Sequence, residues 1–280
     1  MSDSQTTPPH KKNRRVKSDI PFFLGLFGFA GVYLVLILSL LVANASFIDA
    51  EAIREAFTSE ATLGSLKLTF LTCTISAILS LFAAIPIAYS LSRFTFKGKT
   101  FVDTLFDIPI VLPPLVVGLS LLILFNRLPD PDNSLEKWLN QHGIAITFHV
   151  PAIILAQFTV AAAFAVRSMK NTFDQISSRT EDIALTLGCN RSQAFWKVTL
   201  PQAHKGIIAA GLLAWARALG EFGPILVFAG ATRGRTEVLA TSVFLEINIG
   251  NLAGAASISL VLITLAILTI LTVRLAGDRR

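Results

Sequence analysis

LTFLTCTISAILSLFAAIPIAYSL, residues 68–91, is the stretch from which the fold is read. It contains no Asp, Glu, Lys or Arg. It also exceeds the roughly 20 mostly apolar residues that carry a helix across a bilayer. Five further segments qualify, at about 22–43, 104–125, 147–166, 205–229 and 252–274. In lipid the backbone must satisfy its own hydrogen bonds, which makes helices the natural reading of such lengths. The short alternating runs and turn dipeptides of strands are absent. The expectation is an all-α, polytopic membrane protein with six transmembrane helices.

Composition agrees. The 280 residues are 53% hydrophobic and 15% charged, with a mean hydropathy of +0.64. Soluble domains run near 45–50% and about 25%. The net charge of +6 raises the question of nucleic acid. The basic residues sit in short loops between apolar blocks, however, so the bilayer explains them and no nucleic-acid partner is expected. Cys73 falls in an apolar block and Cys189 in a basic loop, which argues against a disulfide. The run from Phe22 to Ala43 is too long for the cleaved apolar core of a signal peptide. Residues 1–20 read as a disordered basic cytoplasmic tail and 21–280 as the transmembrane domain.

Charge also orients the chain. Of the 24 Lys and Arg residues, 17 fall in the tail, loops 92–103 and 167–205, and the C-terminus from Arg274. Only 6 fall in the alternate loops, and Arg217 lies within a span. Cytoplasmic loops carry the excess of basic residues, so both termini and loop 167–205 are expected in the cytoplasm.

Within that loop, Glu181-Asp182-Ile183-Ala184-Leu185-Thr186-Leu187-Gly188 reads as a short helix. Thr180 is a candidate cap, two acids favour the positive end of the dipole, and Gly188 is placed to stop it. Asn190 followed by Gln193 resembles a capping box for a second helix, with Ala194, Phe195 and Val198 as its apolar face. Leu200-Pro201 is expected to end it, because the residue before proline is pushed from helical geometry. The result is a helix-turn-helix without chemistry of its own, or, in the blander reading, an amphipathic pair lying at the interface.

The spacing favours the first reading. Asp182, Ile183, Ala184, Gly188, Val198, Leu200 and Pro201 stand where the EAA loop of binding-protein-dependent ABC importers has Glu-Ala-Ala, Gly, Ile and Leu-Pro. The stretch resembles that loop with Asp for Glu, Ile for Ala and Val for Ile, and Glu181 stands ready to share the acidic role. Residues 107–114 with Gly118, 216–223 and 234–237 look like the molybdate and sulfate permease branch. The resemblance covers about 65–275. It implies a coupling loop at about 170–203 that docks on a separate ABC ATPase subunit, present in two copies. It further implies a second permease, expected as a homodimer, a periplasmic or surface oxyanion-binding protein, and alternating access. The place would be the bacterial inner (plasma) membrane. Cargo would be molybdate or tungstate first, sulfate or thiosulfate next.

Two spans carry features of a path. Pro109, Pro113 and Pro114 fall in the third. Each removes a helix hydrogen bond, and the adjacent pair should break the span, which is tolerated only against protein or a watery cavity. In the fifth, Arg217 and Glu221 are four residues apart and share a helix face. Intramembrane charges should face the bundle interior or water. Gly220, Gly223 and Pro224 follow and allow a local break. Pro113, Pro114, Arg217, Glu221 and Gly223 are the candidate path and gate residues; the structural alternative is a packing kink and a neutralised pair. The outer loop Arg233-Gly234-Arg235-Thr236-Glu237 is a candidate contact for the binding protein.

Other chemistry is excluded. Gly98-Lys99-Thr100 lacks the first glycine and preceding strand of a phosphate-binding loop. His10, His142, His149 and His204 are scattered without ligand spacing. Asp130, Asp132 and Asn133 lack the glycine and distal glutamate of a calcium loop. No catalytic residue, cofactor or metal is expected, and ATP hydrolysis is assigned to a partner. The competing functions are an ion-coupled secondary transporter or channel, which leaves the EAA spacing unexplained, and a membrane scaffold.

Overall fold

The computed structural model describes residues 20–47, 54 and 58–278. The basic tail falls almost wholly outside them. All regular structure in the described residues is helical. Helix α1, Ile20–Ser46, is a unit by itself. Its described apolar side chains are exposed all round, from Phe22 to Val42.

In the second unit, α2 spans Glu60–Arg93. α3, Lys99–Val111, and α4, Pro114–Arg127, meet at an angle of 109°. That is the break expected at Pro113-Pro114. α5 (Leu135–Gln141) and α6 (Val150–Gln175) follow. α7 (Arg179–Thr186) and α8 (Arg191–Ala194) form the helical pair of the basic loop. A π turn at Phe195–Thr199 and a helical turn at Leu200–Gln202 lead into α9, His204–Leu219. α10 (Gly223–Phe228), α11 (Leu239–Asn248) and α12 (Leu252–Asp278) complete the chain.

Among the described residues, four helices are long and apolar enough to cross a membrane, or five if α3 and α4 count as one bent span. The segment expected as a fifth span is divided at Gly220–Phe222 into 16 and 6 helical residues. Neither part reaches the roughly 20 residues a crossing needs. α6 also runs nine residues beyond the expected end at 166. Arg167 and Lys170 therefore lie on a helix rather than in a loop, which is possible because acids on α3 pair with them. The apolar helix α11 lies where no element was expected.

Small residues hold α2, α6 and α9 together. On α2, Ser65, Thr69, Thr72, Ser76, Ser80, Ala84 and Ala88 are buried at helical spacing. α6 contributes Ala152, Ala156, Ala161 and Ala165, and α9 contributes Ala210, Ala214 and Ala218. Lipid gives helices no hydrophobic reason to associate, so close van der Waals contact between small side chains supplies it. Gln157, 1% exposed, ties the three: Ser76 Oγ donates to its Oε1 at 3.2 Å, and its Nε2 donates to the Ala218 carbonyl at 3.3 Å.

Candidate functional site

The basic loop is built from local signals. α7 starts at Arg179, with Ser178 rather than Thr180 in the cap position, and the Thr180 hydroxyl donates instead to the Ser177 carbonyl at 2.8 Å. Its end is a Schellman closure. The Gly188 N–H donates to Leu185 O at 3.1 Å and the Cys189 N–H to Ala184 O at 3.0 Å. This requires a left-handed residue, and Gly188 has φ +93. A Cβ there would meet nothing within 4 Å. The capping box of α8 is complete, with Gln193 N–H to Asn190 Oδ1 at 2.8 Å and Asn190 N–H to Gln193 Oε1 at 3.0 Å. Pro201 does not end the helical run as expected. Leu200 keeps right-handed helical geometry at φ -63, ψ -43, and its N–H reaches back to Phe195 O. The widened turn makes room for a ring that would clash with an ordinary α turn.

This loop is clamped onto the bundle from one side. Arg93, the last residue of α2, donates from Nε to Glu181 Oε1 at 2.8 Å and from Nη2 to the Ile176 carbonyl at 2.9 Å. The Tyr89 hydroxyl donates to the other carboxylate oxygen at 2.9 Å. Burial pushes the Glu181 carboxyl up, but Thr199, Arg93 and Tyr89 outweigh it, so it titrates below the usual carboxylate range. The Tyr89 ring meets Phe173 of α6 and Phe195 of the π turn edge-on, with centroids 5.6 and 4.6 Å away.

The opposite side of the loop is uncovered by the described residues. Asp182 and Gly188 are exposed, as are Ile183 of α7 and Leu187, the residue that caps its end, at 58% and 80%. Ala184 and Ala194 are buried, Val198 and Leu200 half-buried, and Pro201 exposed. Glu181 makes the acid contact with the bundle, while Asp182, at the motif's acid position, is exposed.

The second group lies at the two helix breaks, which pack on each other. A Cβ on Gly223 would stand 3.0 Å from Pro114 Cβ, and one on Gly118 would stand 2.8 Å from Pro224 Cα. Pro113 occupies the cap position of α4. Arg217 Nη2 lies 2.7 Å from Glu221 Oε1, and the Arg217 guanidinium covers the Phe164 ring at 5.3 Å. Glu221 is 1% exposed, and that oxygen receives no aligned hydrogen bond. In the loop that follows α10, Arg233 pairs with Glu246 at 2.8 Å.

Residues 76–279 match the family described as binding-protein-dependent transport system inner membrane component. The chain belongs to this family. It is thus a multi-pass inner-membrane permease subunit of an ABC importer, and components of this kind are non-catalytic. The permease is 32% identical to the Molybdenum transport system permease protein ModB of Mycobacterium tuberculosis over 91% of this chain and 94% of that one. It is 28% identical to the Sulfate transport system permease protein CysT of Escherichia coli, over 95% of each. A bacterial alginate ABC transporter, crystallised with a pentasaccharide-bound periplasmic protein, contains a chain of the same fold. The TM-score is 0.73 at 18% identity, covering 93% of this chain and 95% of that chain.

In this permease, the residues singled out from sequence fall into two separate groups. Glu181, Asp182, Ala184, Gly188, Val198, Leu200 and Pro201 lie in the clamped loop. Pro113, Pro114, Arg217, Glu221 and Gly223 gather at the breaks. Sequence reading missed Tyr89 and Arg93 as partners of Glu181, and Gly118 as the seat of Pro224. It also missed the pairing of Asp103 and Asp107 with Lys170 and Arg167. The available signal was the i,i+4 acids of α3 opposite the i,i+3 bases of α6.

Proposed function

We propose that this permease passes a tetrahedral oxyanion into the cytoplasm, molybdate or tungstate first and sulfate or thiosulfate next. The observation that carries the substrate class is the likeness, over nine-tenths of the chain, to relatives named for molybdenum and sulfate transport. Charge within the apolar region fits an anion, since Arg217 is kept there against the cost of burying it. The topology in this reading has six crossings with both termini in the cytoplasm, α9 and α10 together making the fifth. Positive-inside counting supports it.

The loop from Asp182 to Pro201 would dock on the ATPase through Ile183, Leu187 and the open space at Gly188. Two ATPase copies would act on a permease homodimer. Closure of the ATPases would pull α7, and the clamp at Arg93 would pass the motion to α2. The paired breaks at Pro113-Pro114 and Gly223, with Arg217 and Glu221, would form the gate. An oxyanion-binding protein would deliver cargo from outside, touching the loop at 233–237. Reconstitution with the ATPase and binding protein, followed by uptake of radiolabelled molybdate and sulfate, tests this. ATP-dependent uptake of either is expected. Uptake of neither overturns the substrate assignment, and ion-driven uptake by the chain alone overturns the whole scheme.

A further inference from the structure

Between α3, α6 and α9 lies a cavity of about 520 Å³, lined in part by Asp107, Phe164, Arg167, Ser168 and Asn171. Its polar wall belongs to α6, where Arg167, Ser168 and Asn171 offer hydrogen-bond donors. Arg167 is ion-paired with Asp107 of α3. One turn further along both helices, Lys170 pairs with Asp103 at 2.5 Å. The Arg167 side chain is nonetheless 42% exposed.

Phe164 connects this cavity to the gate. Arg217 stacks on its ring from α9, and Arg167 follows it by three residues on α6. Phe164 thus touches the Arg217 guanidinium and lines the same cavity as Arg167, and each arginine is held by one carboxylate, Glu221 or Asp107. A guanidinium receives a carboxylate and a tetrahedral oxyanion through the same fork of N–H donors. An arginine left without a counter-charge at this depth would be costly. Asp107 thus holds the place an anion could take.

We propose that Arg167, with Ser168 and Asn171, forms an inner oxyanion station on the cytoplasmic side of the gate, and that Asp107 is its resident stand-in. Cargo released past Arg217 displaces Asp107 from Arg167 and leaves when Asp107 returns. The exchange needs no covalent step. The station rests on the oxyanion reading given above.

The test uses the permease–ATPase complex purified without nucleotide or binding protein, with labelled molybdate and sulfate as probes. The wild-type complex is expected to bind one of them. Arg167→Gln should weaken binding about tenfold or more, because it removes a charge-assisted bond. Asp107→Asn should tighten binding severalfold, because it removes the competitor. A pair that serves packing alone would move both variants in the same direction or neither, which overturns the station. Absence of binding by the wild type overturns it too, as does displacement of the probe by phosphatidylglycerol but not by unlabelled oxyanion, which would assign the cavity to a lipid headgroup. Should Arg167→Gln fail to co-purify with the ATPase, Asp107→Asn decides alone: tighter binding supports the station and weaker or equal binding sinks it. Uptake by the wild type separates the two levels. A complex that imports oxyanion yet shows the overturning pattern loses the station only. One that imports neither anion loses the oxyanion reading, and the station with it.

Discussion

Two Arg–Glu pairs of nearly equal length, 2.8 Å for Arg93–Glu181 and 2.7 Å for Arg217–Glu221, sit in opposite conditions. In the first, both carboxylate oxygens accept hydrogen bonds, and the arginine reaches a third element through the Ile176 carbonyl. In the second, a carboxylate that is 1% exposed has one charged neighbour and no aligned bond on the contacting oxygen. A fully satisfied polar network rigidifies what it joins, while a half-satisfied one is costly and easily rearranged. The difference locates stiffness at the loop of α7 and α8 and freedom at the helix breaks. The proposed mechanism, in which a pull on that loop opens a path at the breaks, needs that division.

The largest expected effect breaks the looser pair. Arg217→Ala should abolish uptake in proteoliposomes while leaving co-purification with the ATPase intact, and normal uptake would remove the pair from the mechanism. Next comes Gly188→Leu. A side chain at positive φ costs about 1–2 kcal/mol, and this one would project into the space assigned to the ATPase. Pull-down of the ATPase and transport should both fall sharply; if both persist unchanged, the docking assignment is wrong.

Glu181→Gln attacks the stiff pair and should lower stability at neutral pH by about 1.5–3 kcal/mol, the range for a hydrogen bond to a charged group. The sign of its pH dependence follows from the lowered carboxyl. The stabilisation is fully present above the unfolded glutamate value and is lost as pH falls through the lower folded one. Thermal melts of the complex from neutral to acid pH should show this loss in the wild type and lack it in the variant. Identical slopes would show that Glu181 is not the anchor. Asn190→Ala is the smallest: loss of one cap, about 1 kcal/mol. It should appear as faster amide exchange at 190–193 with transport nearly unchanged.

Much of the loop of α7 and α8 was legible because its signals are local. The capping box at Asn190 and Gln193 and the stop at Gly188 depend on residues within a few positions of one another. The two failures there share a cause. Thr180 and Pro201 were judged by single-residue preference. In the structure, the Thr180 hydroxyl is taken by Ser177, and a π turn accommodates Pro201. The break at Pro113-Pro114 was visible because two adjacent prolines defeat any helix. That Gly118 and Gly223 pack against the opposite break was not, since a glycine does not name its neighbour.

Sequence alone determined that this chain is helical, apolar enough for a bilayer, and marked at 182–201 by the spacing of the EAA loop. These are properties of length, order and spacing along one dimension, and they survive whatever the helices do to each other. Only the tertiary structure decided that Glu181 belongs to Arg93 and Tyr89, that Arg167 belongs to Asp107, and that two helix breaks meet. Those pairings join residues 60 or more positions apart. The choice of partner comes from the packing of small-residue helix faces, which no single segment contains.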